Sequence, residues 1–137
     1  MTVTLKTEGD VSIIHMDDGK VNVFSPEMIQ NFQNILDQIP TNKGSVLITG
    51  RPGMFSAGFD LKVMMSSPEN AAAMVKSGFL MLKRVFSFPR PVVAACSGHA
   101  IALGAFLLCS SDYRVGCEGD FKVCLLYTSD AADDIGR

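Results

Sequence analysis

The chain has 137 residues, 47% of them hydrophobic, with 12 basic and 14 acidic side chains and a formal charge of -2. That is apolar material for one small domain and not for two. The near balance of charge gives no electrostatic footing for nucleic acid or an anionic membrane surface, and neither partner is expected.

Residues 3–7 and 11–16 predict two short strands joined by a turn at Glu8-Gly9-Asp10. A polar loop, residues 17–23, leads to a helix with Ser25 as N-cap and Pro26 in its first position. Met28, Phe32, Ile35, Leu36 and Ile39 form its apolar face, and Pro40 closes it. Residues 45–49 are a nearly continuous apolar run, as expected of a strand covered on both faces. After residues 62–65, Ser67-Pro68-Glu69 opens a longer helix whose stripe is expected to be Ala72, Val75, Phe79, Leu82 and Phe86, ending before Pro89. Residues 92–96 and 113–116 predict further strands. Between them, residues 103–109 form an apolar helix too short to span a bilayer and therefore expected in the core. Strands alternating with helices predict an α/β fold.

Cys96, Cys109, Cys117 and Cys124 form no CxxC pair and no zinc spacing with histidine, so no metal site is expected. Cys96 and Cys109 lie in apolar runs and are expected to act as small hydrophobes in a reducing compartment. The N-terminus has neither a signal-peptide core nor a transit segment. The expected location is intracellular, cytoplasmic as the chain stands, with mitochondrial or peroxisomal placement left open.

Two glycine-bearing segments carry the chemistry. Phe55-Ser56-Ala57-Gly58-Phe59-Asp60-Leu61 and Ser97-Gly98-His99-Ala100-Ile101-Ala102-Leu103-Gly104 each lead from a strand into a helix. Such junctions aim backbone amides at an anionic oxygen, and two together supply an oxyanion hole with no catalytic side chain. Asp60 is expected to cap the short helix after it. His99 and His15 are expected to be structural, and Asp112 and Arg114 to order the start of a strand or to form an ion pair. Met64, Met65, Met74 and Met81 read as core filler.

These two segments, with Arg90-Pro91-Val92-Val93-Ala94-Ala95 and Asp112-Tyr113-Arg114, resemble the crotonase, or enoyl-CoA hydratase/isomerase, superfamily. The resemblance covers nearly all of residues 3–123, about the N-terminal half of a member. It implies a truncated spiral of ββα units and a function in binding and activating an acyl-CoA thioester. It further implies that the backbone amides of Phe59 and Leu103 hold the thioester oxygen. The CoA portion would be gripped by Lys20, Val21 and Asn22 and by Ala57, Asp60, Leu61 and Lys62, with the two lysines as phosphate partners. The thioester is the substrate and no cofactor is implied; the full-length parent would be a homotrimer or hexamer.

The hydratases of this family carry a glutamate two residues after the second motif's glycine, where this chain has Phe106. The other family glutamate lies beyond Phe121-Lys122-Val123. A single-base enzyme, an enoyl-CoA isomerase, is therefore expected, with a hydratase, a non-catalytic acyl-CoA binder and a structural subunit as alternatives. The run from Cys124 to Asp133 resembles a translated sequencing-library adapter. Residues 1–123 are accordingly read as a partial crotonase-like domain and residues 124–137 as a non-native tail. Alone, the chain is expected to be inactive and marginally stable.

Overall fold

A computed structural model describes residues 2–125. Its elements are β1 (Val3–Glu8), β2 (Val11–Met16), β3 (Val23–Phe24), α1 (Pro26–Asp37), β4 (Ser45–Thr49), β5 (Gly53–Ser56), β6 (Gly58–Phe59), α2 (Leu61–Met64), α3 (Pro68–Phe86), β7 (Val92–Cys96), β8 (Gly98–Ile101), α4 (Leu103–Ser110), β9 (Tyr113–Gly116) and β10 (Val123–Cys124). A five-stranded sheet has the order β1-β2-β4-β7-β9, beside a three-stranded sheet β10-β8-β5 and a pair β3-β6.

The order is that of a spiral. The chain passes β2, β3 and α1, then β4, β5, β6, α2 and α3, then β7, β8 and α4, then β9 and β10. Each turn adds one strand to the large sheet and at least one to a smaller sheet. Because each turn returns in the same sense, every strand pair except β1–β2 is parallel. Parallel strands need such crossovers, and the helices cover the sheets. This is the α/β spiral expected from the sequence.

Local signals set the helices. Ser25 Oγ accepts from Met28 N at 3.1 Å with Pro26 inside the first turn, and Ser67 Oγ accepts from Asn70 N at 3.1 Å ahead of α3. These side chains satisfy amides that the first turn leaves without partners. α1 buries Met28, Ile29, Phe32, Ile35 and Leu36, and the Phe32 ring meets Phe24 edge-on at 6.5 Å between centroids.

The buried face of α3 differs from the expected stripe. Met74, Gly78, Met81, Leu82 and Val85 face the core, whereas Phe79 is 47% and Phe86 73% exposed and Ala72 is exposed. Apolar residues lie on more than one side of this helix, so periodicity alone did not fix its rotation. Residues 45–49 alternate between buried and half-buried instead of being covered on both faces. Cys96 is buried but Cys109 is exposed on the outer face of α4, and Met65 is exposed, so neither Cys109 nor Met65 is core.

β9 is exposed along its length, with Tyr113 at 65% and Val115 at 49%, at the open edge of the large sheet. β10 crosses the boundary read after Val123, with Cys124 paired to Ile101. Ladder hydrogen bonds use backbone groups, so Cys124 extends the strand whatever its side chain. The remainder of the expected non-native tail, residues 126–137, lies outside the described residues.

Candidate functional site

The two glycine segments are neighbours in space. Both contain short strands: β5 pairs with β8, matching Gly53 to Gly98 and Ser56 to Ala100 across an irregular register. A Cβ on Gly98 would lie 2.1 Å from Gly53 C, and one on Gly104 would lie 2.6 Å from Ser56 O. Only glycine permits these approaches. The first turn of α4 is thereby seated on the backbone of the first segment.

Asn22 holds that segment from the other side. It is fully buried at φ 54, and its Nδ2 donates to Met16 O at 2.9 Å and Phe55 O at 3.2 Å, while Oδ1 accepts from Asp18 N at 2.9 Å. Its carbonyl accepts from Ser56 Oγ at 2.8 Å, and Ser56 Oγ in turn accepts from Gly58 N at 3.1 Å. Ala57 N donates to Val21 O at 3.0 Å, and β3 pairs with β6 by matching Phe24 to Phe59. One buried asparagine thus ties residues 16–22 to residues 55–58.

The loop before Asn22 is ordered by carboxylates. Asp18 accepts from the amides of Lys20, Asn22 and Val23 at 2.7–3.0 Å, and Asp17 from Gly19 N at 2.9 Å. Arg51 forms an ion pair with Asp17 at 3.0 Å and donates to Lys20 O. The side chains of Lys20 and Val21 are exposed at this loop, whereas that of Asn22 is engaged wholly within the protein. Sequence reasoning missed Asp18, Arg51 and Ser56 as organisers of this region. The Asp17-Asp18-Gly19 run was the available signal, because aspartates bond amides two residues on in tight turns.

Asp60 Oδ1 accepts from Lys62 N at 2.9 Å, making it the N-cap of α2, as expected. Lys62 and Leu61 are exposed and Ala57 is half-buried. Lys62 lines a cavity of about 640 Å³ between α1, α2 and α3, whose wall includes Ile29, Val63 and Met74.

At the second segment, Ala102 has φ 51 and ψ -115, a conformation that costs an L-residue about 1–3 kcal/mol. Its N–H donates to Cys124 O at 2.7 Å and its carbonyl receives the first helical hydrogen bond of α4, from Phe106 N at 3.0 Å. Leu103 is the first helical residue, so its N–H lies at the positive end of an apolar, buried helix. Phe106, half-buried one turn on, packs its ring 5.9 Å from Phe79.

The remaining candidates have structural partners. His99 Nδ1 accepts from Lys122 N at 3.0 Å and its ring meets Phe121, while His15 Nδ1 lies 2.7 Å from Thr49 Oγ1. Asp112 Oδ2 accepts from Val92 N at 2.7 Å, ordering the start of β7, and Arg114 Nη1 donates to Leu108 O and Ser111 O at the end of α4. Burial raises the Cys96 thiol pKa, and the thiol donates to Gly98 O at 3.1 Å. Among the described residues no group of three His, Cys, Asp or Glu side chains could hold a metal, and no helix is long and apolar enough to cross a membrane.

Residues 6–119 match the family model described as Enoyl-CoA hydratase/isomerase. The chain is 36% identical over 117 residues to enoyl-CoA delta isomerase 3 of Arabidopsis thaliana, covering 80% of this chain and 49% of the relative. It is 28% identical over 120 residues to a probable enoyl-CoA hydratase of Bacillus subtilis, covering 85% and 46%. A crystal structure of an enoyl-CoA hydratase/isomerase family protein from Pseudomonas syringae superposes with a TM-score of 0.85 at 44% identity, covering 88% of this chain and 52% of that one. The chain spans about half the length of the curated relatives it matches.

Proposed function

Since the chain belongs to the enoyl-CoA hydratase/isomerase family, we propose that it carries the thioester-holding half of an acyl-CoA enzyme that moves a double bond. The supporting observation is the close approach of Gly104, in the first turn of α4, to the Ser56 carbonyl, which brings the turn that begins with Leu103 against the segment that leads into Phe59. Removing a proton beside a thioester places negative charge on its oxygen. Two fixed amides stabilise that enolate more than the neutral substrate, and losing one donor costs about a hundred- to a thousand-fold in rate. The end of α4 adds its dipole in a dry setting.

In this reading the CoA moiety runs past the Lys20-Val21-Asn22 loop to Ala57, Asp60, Leu61 and Lys62. Lys20 and Lys62 meet phosphates through exposed ammonium groups, and Asn22 serves by holding the loop. No cofactor takes part.

Isomerisation needs one base: it takes a proton from C2 of a 3-enoyl thioester and returns one to C4, leaving the double bond conjugated. Hydration uses two carboxylates to position and deprotonate water. Phe106 has no ionisable group, and Asp60 Oδ1 caps α2, which favours the one-base reaction with its base outside both glycine segments.

The test is to offer the intact protein that contains this chain a 3-enoyl-CoA and a trans-2-enoyl-CoA. Conversion of the first to the conjugated thioester, with much slower hydration of the second, is expected. Hydration as fast as isomerisation overturns the isomerase reading. The same replacement at Phe106 favours a second reading, a non-catalytic acyl-CoA binder, and tight binding without either reaction would select it.

A further inference from the structure

We infer that Gly78, in the middle of α3, is a positioning residue for the thioester site, an inference that rests on the reading just given. Glycine is less favourable than alanine inside a helix, and α3 runs 19 residues without a break around it. Its backbone is helical, so conformational freedom is not the reason for it. The space beside it is. A Cβ at Gly78 would lie 2.6 Å from Phe59 Cε1, 2.8 Å from Phe59 Cζ and 3.3 Å from Leu103 Cδ2.

One missing side chain therefore accommodates both residues whose amides the site would use. Phe59 and Leu103 are buried in the core cluster, so a displaced ring has little free volume to enter. Phe59 is the second residue of the two-residue strand β6, directly before the N-cap of α2, and pressure on its ring passes to a short backbone segment. In this inference Gly78 acts through those two residues. It sets how closely α3 approaches the two donors, and thus where their N–H groups point.

The experiment uses the intact protein with Gly78→Ala, and with Gly78→Ala combined with Phe59→Leu, which removes the two ring atoms that the new Cβ would strike. Turnover is measured with affinity for an acyl-CoA thioester, for the thioether analogue lacking the carbonyl oxygen, and for free CoA. Expected for Gly78→Ala is a fall in kcat on the order of a hundred-fold, as small misplacements of catalytic groups produce, with a smaller change in KM. Its preference for thioester over thioether falls, affinity for free CoA is unchanged, and the double variant recovers both turnover and preference.

Retention of wild-type kcat and preference by Gly78→Ala overturns the inference, as does failure of Phe59→Leu to restore them. Should Gly78→Ala not fold, Phe59→Tyr on the native glycine pushes a hydroxyl toward the same spot. Loss of the thioester preference supports the inference, and its retention overturns it. A wild-type protein with no preference for thioester over thioether defeats the thioester reading itself, and is thereby distinguished from a failure of Gly78 alone.

Discussion

Gly104 lies against the carbonyl of Ser56 so closely that a Cβ would sit 2.6 Å from that oxygen and 2.9 Å from the Ser56 Cβ. The contact joins the first turn of α4 to the segment that precedes β6, and both sides of it are buried. Backbone meeting backbone leaves no flexible side chain to yield. Gly104→Ala is predicted to destabilise the fold by about 2 kcal/mol, as overpacking typically does, and to separate the two amide-bearing junctions. Denaturant unfolding measures the first effect and acyl-CoA affinity the second.

Asn22 offers a separate handle on the same region. Asn22→Ala removes donors to Met16 O and Phe55 O and keeps the positive φ, which alanine adopts at a cost. The predicted loss is about 3 kcal/mol, combining buried acceptors left unpaired with backbone strain. Asn22→Gly relieves the strain but not the lost hydrogen bonds, so its unfolding midpoint is expected between those of Asn22→Ala and the native chain.

Ala102 predicts the opposite sign. At φ 51 and ψ -115 it occupies a region that suits glycine, and Ala102→Gly is expected to raise stability by roughly 1 kcal/mol net of the added unfolded-state entropy. A higher denaturation midpoint checks this, and a lower one would mean that the backbone here is not strained.

Thiol chemistry separates the cysteines. Cys96 is buried with its pKa raised, first by loss of solvation, whereas Cys109 and Cys117 are exposed. At mildly alkaline pH, Cys109 and Cys117 are predicted to alkylate rapidly and Cys96 only on unfolding, as peptide mapping would detect. The sign for stability follows from the same shift. A thiol whose folded pKa lies above its unfolded one contributes fully below the unfolded value. That contribution is lost as pH rises through the folded value, so stability declines on the alkaline side.

The helices were legible where their signals were local. Ser25 with Pro26 and Ser67 with Pro68 mark helix starts within four residues, and Asp60 announced its own cap. The rotation of α3 was not legible, because Phe79, Leu80 and Phe86 put large apolar side chains on its exposed side as well as on the side that buries Met74 and Met81. The glycine segments identified the site, but their contact depends on Gly53 meeting Gly98 and Ser56 meeting Gly104, pairings about 45 residues apart in the chain. The resemblance points to Asn22 as part of a ligand loop, while its hold on Phe55 O is a long-range bond that no local pattern announces.

Whether two backbone amides grip the thioester oxygen, as proposed, is read from the infrared carbonyl band of a bound acyl-CoA labelled with carbon-13 at C1. In the intact protein the band is predicted to move to lower frequency than in water, because donors fixed in a dry site polarise the bond more than solvent does. A bound thioester whose carbonyl band stays at or above its position in water would contradict it.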